Sequence, residues 1–271
     1  MDKIKSMKSI LKEKQSYAFT DLCDIVRILR SDEGCPWDRE QDHKSIRNDL
    51  IEETYEAIEA IDNSDQELLR EELGDVLLQV VFHSVIEEEN ETFNINNVID
   101  DISKKLIHRH PHVFGNIVVK TSDQVLQNWD KIKNNEKSRN TVYDSMKSIP
   151  PMLPELMRAR KIGSRAAKVG FDFACAEDAL SKVREETNEV SSAIGSDHVF
   201  EEIGDLLFSV VNVSRKLGID PEEALHFSNE KFMMRFKGVE DEILKDRGNF
   251  SSYSLSELDD IYNKVKNSKL L

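Results

Sequence analysis

Glycine and proline are scarce, with ten and six among 271 residues. Alternation of apolar and polar residues in the strand pattern is equally rare. Both shortages argue against a β-rich fold and favour a mostly helical chain. Cysteine is limited to Cys23, Cys35 and Cys175. An odd number without close paired spacing gives no disulfide framework and points to a reducing compartment, the cytoplasm. Long hydrophobic runs are missing. The longest, Val76 to Ile86, contains Gln79 and His83 and is too short to span a bilayer. It reads as a buried core helix. The charged stretch Met1 to Gln15 lacks the apolar core of a signal peptide. Excess positive charge is also absent: 37 basic residues face 52 acidic ones, a formal net charge of −15. Such a surface repels nucleic acid and anionic membranes, so neither is an expected partner. There is no Gly-rich phosphate loop of the Walker type and no convincing Ser/His/Asp order.

What is present is a duplication. Glu52-Glu53-Thr54-Tyr55-Glu56 matches Glu185-Glu186-Thr187-Asn188-Glu189. Glu71-Glu72-Leu73-Gly74-Asp75 matches Glu201-Glu202-Ile203-Gly204-Asp205. Phe93 to His110 aligns with Ile219 to Phe236, and Trp129 falls opposite Tyr262. A period of roughly 130 residues is too long for a solenoid unit and implies two globular domains. The expected fold is all-α, a tandem repeat of two four-helix-bundle-like domains. Residues 1–138 form the first, 139–165 a connector and the first helix of the second, and 166–271 the rest of the second. In each half the fourth helix is expected to end near Arg109 or Arg235, and the prolines of 149–154 predict an extended connector.

Residues three apart share a helix face. Glu53 and Glu56 therefore point one way, as do Glu72 and Asp75. Packing their helices antiparallel brings the four carboxylates together, and Glu186, Glu189, Glu202 and Asp205 repeat the arrangement. Each close pair of like charges costs about 1 kcal/mol in water and several times more near a protein interior. The groups must protonate, separate or bind cations. Oxygen ligands without His or Cys select hard ions, Mg²⁺ or Mn²⁺. The competing reading is of solvated acidic helix faces. Lys105 and Arg109, and likewise Lys231 and Arg235, are four apart and suited to triphosphate oxygens. Lys182 lies one turn before Glu186, whereas Asp49 holds the matching place in the first half. Trp129 and Tyr262 can stack on a base or pack on their own domains. His108, His110 and His112 carry little weight as a metal site, because Pro111 interrupts them and no second set exists. Cys35 reads as structural.

Several of these segments are similar to those of the MazG family. They include Gly34-Cys35-Pro36-Trp37-Asp38, Glu52 to Glu56, Glu72-Leu73-Gly74-Asp75 and Arg109-His110-Pro111-His112-Val113-Phe114. In the second half they include Val169-Gly170-Phe171-Asp172, Glu202 to Leu207 and Asn229-Glu230-Lys231-Phe232. The resemblance implies a Mg²⁺-dependent nucleoside triphosphate pyrophosphohydrolase that forms homodimers. Such an enzyme yields the nucleoside monophosphate and pyrophosphate, in house-cleaning or regulation of nucleotide pools. It implies metal ligands Glu186, Glu189, Glu202 and Asp205, with Lys182, Lys231, Arg235 and Tyr262 on the substrate. The first domain offers Glu53, Glu56, Glu72 and Asp75 as ligands, with Lys105, Arg109 and Trp129. Tyr262 stands where the family often has Trp. In the working mechanism Glu185, or another cluster carboxylate, removes the proton of the attacking water, and Glu186 and Glu202 are catalytic through the metal. The rival readings are a non-catalytic nucleotide-binding or adaptor protein and a helical scaffold.

Overall fold

The computed structural model describes residues 2–136, 141–246 and 248–268, the side chains at 2, 3, 123, 126, 127, 130, 131, 134 and 135 excepted. Among the described residues the regular structure is entirely helical, and no helix is long and apolar enough to cross a membrane. The chain forms two compact units, Met1–Asp130 and Lys131–Leu271. The expected boundary at 138/139 lies outside the described residues.

The first unit contains α1 (Asp2–Glu13), α2 (Phe19–Arg30), α3 (Pro36–Glu40), α4 (Arg47–Asp62), α5 (Gln66–Glu89), α6 (Ile95–Arg109) and the single turn α7 (Pro111–Phe114). Helix α5 is central and packs against α2, α4 and α6. Its start is fixed by Asp65, whose carboxylate accepts hydrogen bonds from the N–H groups of Glu67 and Leu68. The core joins Cys23 and Val26 of α2 to Val81, Phe82, Val85 and Ile86 of α5 and Ile95 of α6. Arg30 is buried at the edge of this core. It grips Glu89 through Nε (3.0 Å) and Nη2 (2.7 Å), and its Nη1 donates to the carbonyls of Asp38 (2.6 Å) and Gln41 (3.0 Å). One side chain thus ties α2 to the end of α5 and to the segment leading into α4.

Helix α8 (Ser122–Glu136) crosses the division between the units. The second unit continues with α9 (Val142–Lys147), α10 (Glu155–Ala167), α11 (Ala176–Ala193), α12 (Val199–Lys216), α13 (Pro221–Asp246), a 3₁₀ turn at Phe250–Ser252 and α14 (Leu255–Asn267). Here α12 is central and packs against α10, α11 and α13, as α5 does with α2, α4 and α6. The duplicated sequence is therefore a duplicated helix arrangement. Gly163 permits the close approach of α10 to α12: a Cβ there would stand 2.8 Å from Asn212 Oδ1. Gly238 does the same for α13 and α14, where a Cβ would stand 2.8 Å from Val265 Cγ1.

Three details differ from expectation. Helix α13 does not stop at Arg235 but runs on to Asp246, because no proline follows as Pro111 follows Arg109. Part of the expected connector is helical before the prolines: Thr141 and Asp144 form a reciprocal cap on α9. The proline segment is turned rather than extended, with Leu153 N–H reaching the Pro150 carbonyl at 3.4 Å.

Asp172, just before α11, is held by Arg215 and by Lys216 (3.2 Å) at the end of α12. The hydrogen bond from Arg215 is the main reason its carboxyl is pulled down to about 2. A carboxyl depressed on folding contributes stability above its unfolded value, near 3.8, and that stability is lost as pH falls toward 2. Asp172→Asn should therefore lower the melting temperature at pH 7, at a cost of about 1 kcal/mol. Thermal melts of the variant and the parent should converge as pH falls from 4 to 2.

The central helices are not covered on every side. Leu73, Leu77 and Val80 on α5 are exposed at helical spacing, and so are the equivalent Ile203, Leu207 and Val210 on α12. Each unit leaves the same apolar stripe beside its acidic residues.

Candidate active site

In the second unit, α11 and α12 lie side by side and bring Glu186, Glu189 and Glu202 together. One carboxylate oxygen of each falls within 4.8 Å of the others. Asp205, one turn beyond Glu202, is exposed and lies outside this group. Glu186 is only 4% exposed, and its Oε2 is buried without a hydrogen-bond partner. An orphaned anionic oxygen is costly, and a cation relieves that cost. The donor set contains oxygen only, which fits a hard divalent ion.

Lys182 stands one turn before these carboxylates. Its Nζ is 2.6 Å from Glu186 and 2.7 Å from Glu185. Those contacts, with Glu185 the larger, raise the lysine above its usual range. Lys182 in turn holds the Glu186 carboxyl low, while the hydrogen bond with Glu186 pushes Glu189 up. The pair shares a proton more readily than two isolated glutamates would.

The first unit builds the corresponding group from Glu53 and Glu56 on α4 and Glu72 on α5. Asp75 again falls outside it; burial raises both Glu53 and Glu72, and the charge of Asp75 adds to it, behind that of Glu56 in the case of Glu72. Asp49 stands where Lys182 would be, so this group lacks the equivalent lysine.

The basic and aromatic candidates divide. Lys231 and Arg235 on α13 are half-buried; the Lys231 ammonium lies 5.4 Å from the Phe227 ring, and Arg235 Nε is buried without a partner. Tyr262 packs 6.1 Å from Phe232, at the end of a series that runs through Phe236 to Phe250. In the first unit Lys105 is exposed, while Arg109 is buried with its guanidinium 5.6 Å over Trp129. Trp129 also meets His110 edge-on at 4.9 Å, and His110 Nδ1 is 2.6 Å from the Leu106 carbonyl. His110 thus packs on Trp129.

One polar cluster escapes sequence reasoning. His43 Nδ1 lies 2.7 Å from His83 Nδ1, and His43 Nε2 lies 2.5 Å from Glu87, which also bonds Thr92. It fastens the segment before α4 to α5. His43 and His83 are forty residues apart, and no periodicity links them.

Comparison with known proteins agrees with this layout. The description of the MazG nucleotide pyrophosphohydrolase domain matches residues 41–114 and again 176–239, the two stretches that carry the carboxylates. The nucleoside triphosphate pyrophosphohydrolase/pyrophosphatase MazG of Thermotoga maritima is 44% identical over 248 residues, covering 92% of this chain and 95% of that protein. The nucleoside triphosphate pyrophosphohydrolase of Escherichia coli K12 is 40% identical over 256 residues, covering 92% and 97%. The uncharacterized protein YabN of Bacillus subtilis is 43% identical, with 96% of this chain matching 54% of that protein. With two matched segments, two carboxylate groups and relatives aligned along nearly their whole length, this chain belongs to the MazG nucleotide pyrophosphohydrolase family.

Proposed function

We propose that the chain is a Mg²⁺-dependent nucleoside triphosphate pyrophosphohydrolase, converting an NTP and water to the NMP and pyrophosphate, with its main site in the second unit. The observation that carries this is the Glu186–Glu189–Glu202 group with its orphaned buried oxygen and adjoining lysine. Mg²⁺, with Mn²⁺ as substitute, is the ion that suits these ligands, and Asp205 completes the set from the next turn of α12. A bound divalent ion supplies neutralisation of the triphosphate and a more acidic water.

The protein's own groups have separable tasks. Glu186, Glu189 and Glu202 hold the ion. Lys182, Lys231 and Arg235 bind phosphate oxygens and stabilise the charge that grows on departing pyrophosphate. In the free protein Lys182 is shared between Glu185 and Glu186. Turning toward phosphate releases Glu185, which then takes the proton from the water attacking the α-phosphorus. Tyr262 lends an aromatic face to the nucleotide. Lys105, Arg109 and Trp129 serve the first unit, where the missing lysine makes phosphate binding weaker. Purified protein with ATP and Mg²⁺ should release AMP and pyrophosphate, and chelation by EDTA should stop it. Release of orthophosphate alone would contradict the assigned bond. Tight Mg²⁺–NTP binding without turnover would favour a nucleotide-binding adaptor instead.

The protein acts as a homodimer in the cytoplasm. The dimer is supported by the stripe Ile203, Leu207 and Val210, with its twin on α5, since exposed apolar area of this kind is removed from water by a second copy. The compartment is supported by three free cysteines. Leu207→Asp should shift the protein from dimer to monomer in sedimentation velocity. A parent protein that is monomeric at micromolar concentration would contradict the assembly.

A further inference from the structure

The His43–His83–Glu87 cluster takes no part in the reaction above. The two imidazole rings are inclined by only 17°, and their centroids are 5.0 Å apart. That separation is the 2.7 Å between the two Nδ1 atoms plus one ring radius on each side. The rings therefore meet edge to edge, nitrogen facing nitrogen, in the geometry of an N–H···N hydrogen bond.

Two facing nitrogens have room for one hydrogen, and Glu87 fixes the rest of the count. Hydrogen bonds from Thr92 and His43 hold its carboxyl below the usual 4.5, so near neutrality it is a carboxylate. His43 Nε2 must then carry the hydrogen between them. Either His83 Nδ1–H donates to a neutral His43, or a protonated His43 donates to a neutral His83. The contact survives in both forms. A further proton sets N–H against N–H and two positive rings side by side, and the contact has to break.

Burial, and then the charge of His43, lower His83 below its ordinary 6.5. Charges on the surrounding elements are engaged elsewhere or face solvent. On α2, Arg27 pairs with Asp24 and Glu88, and Arg30 with Glu89. On α6, Asp100 pairs with Lys104, and Asp101, Lys105 and His108 are exposed. Beside His43, the Asp42 carboxylate accepts from the N–H groups of Lys44 and Ser45, and the Lys44 and Arg47 side chains are exposed. Asp49 and Glu53 are half-buried further along α4.

The cluster sits where α4 needs an anchor. Ile46, just before the helix, makes no side-chain cap to its first N–H groups. The start of α4 therefore depends on how firmly the preceding segment is held. Arg30 grips that segment at the Asp38 and Gln41 carbonyls, and Ile46 is buried in the core. His43 is the side-chain tie between these two points. Further along, the same helix carries Glu53 and Glu56. The second unit has Ala176, Val213 and Leu217 at the matching positions, so its equivalent helix lacks this tie.

We propose that His43, His83 and Glu87 form a pH-sensitive latch, which holds the segment before α4 against α5 while one hydrogen is shared between the facing nitrogens and releases the start of α4 when a second arrives. A histidine depressed on folding contributes stability that is present above its unfolded value, near 6.5, and is lost as pH falls through its folded value. The latch therefore opens on the acid side of 6.5, and only in the first unit.

Hydrogen exchange of the full chain between pH 7.5 and 5, read by mass spectrometry and corrected for the intrinsic pH dependence of exchange, tests this without reference to turnover. Residues 43–50 should lose protection about tenfold on acidification, while residues 176–184 change by less than about twofold. His83→Asn keeps a hydrogen-bonding atom near the place of Nδ1 but does not titrate, so in that variant residues 43–50 should no longer respond to pH. Protection at 43–50 that stays within about twofold in the parent, or that falls equally in His83→Asn, would overturn the latch. If the variant melts early at pH 7.5, long-range ¹H–¹⁵N NMR of the parent decides. His83 must take its proton below 6.5, in step with the loss of protection at 43–50; titration at 6.5 or above overturns the assignment.

Discussion

Glu202→Gln should lower the rate of pyrophosphate release about 10³-fold, equivalent to ~4 kcal/mol of barrier. The substitution keeps the side chain's size and removes one of three carboxylates whose oxygens converge within 4.8 Å. The remaining pair binds a divalent ion more weakly, so raising Mg²⁺ or Mn²⁺ should recover part of the loss. Stability without metal should hold or rise, because one like charge leaves a crowded acidic cluster. Glu72→Gln, the equivalent change in the first unit, should cost far less activity. That contrast follows from Lys182, which has Asp49 as its counterpart. Steady-state assays of the two variants settle which unit dominates. A full rate in Glu202→Gln would transfer the main site to the first unit.

Arg30→Ala should destabilise the first unit by about 3 kcal/mol. Arg30 is 8% exposed, whereas Glu89 keeps 43% of its side chain exposed, so the cost lies mainly in the guanidinium's own packing and its carbonyl partners. Its loss removes the paired contact with Glu89 and leaves the Asp38 and Gln41 carbonyls without this donor. The guanidinium also lies 5.2 Å over the Phe82 ring, within the core. Arg30→Lys should recover only part, since an ammonium cannot reproduce the planar fork. Chemical denaturation followed by far-UV circular dichroism measures both. A loss under 1 kcal/mol in the alanine variant would contradict the role given to this residue.

Much of the architecture was legible because it rests on local patterns. Acidic pairs three apart define helix faces, and the order of matching segments defines the duplication. Glu186, Glu189 and Glu202 meet because α11 and α12 pack side by side, the condition under which helical spacing brings such carboxylates together. Asp205 illustrates the limit. Its spacing from Glu202 places it on the same face, but a full turn carries it outside the group. Convergence depends on where two helices cross, and sequence spacing does not record that. The His43–His83–Glu87 cluster was illegible for a related reason, since it exists only once a loop folds back onto α5. Arg109 and Trp129 were legible as a basic and an aromatic residue, but not as partners of one another. The apolar length of α5 predicted burial, and the structure leaves Leu73, Leu77 and Val80 exposed. A hydrophobic pattern states that a face seeks cover; it does not say whether the cover comes from the same chain.

The most direct test of the central claim is hydrolysis of ATP in H₂¹⁸O with Mg²⁺, followed by ³¹P NMR or mass spectrometry of both products. Attack of water on the α-phosphorus places one ¹⁸O in AMP and none in pyrophosphate. Label in pyrophosphate, or ADP with labelled orthophosphate, would contradict the account.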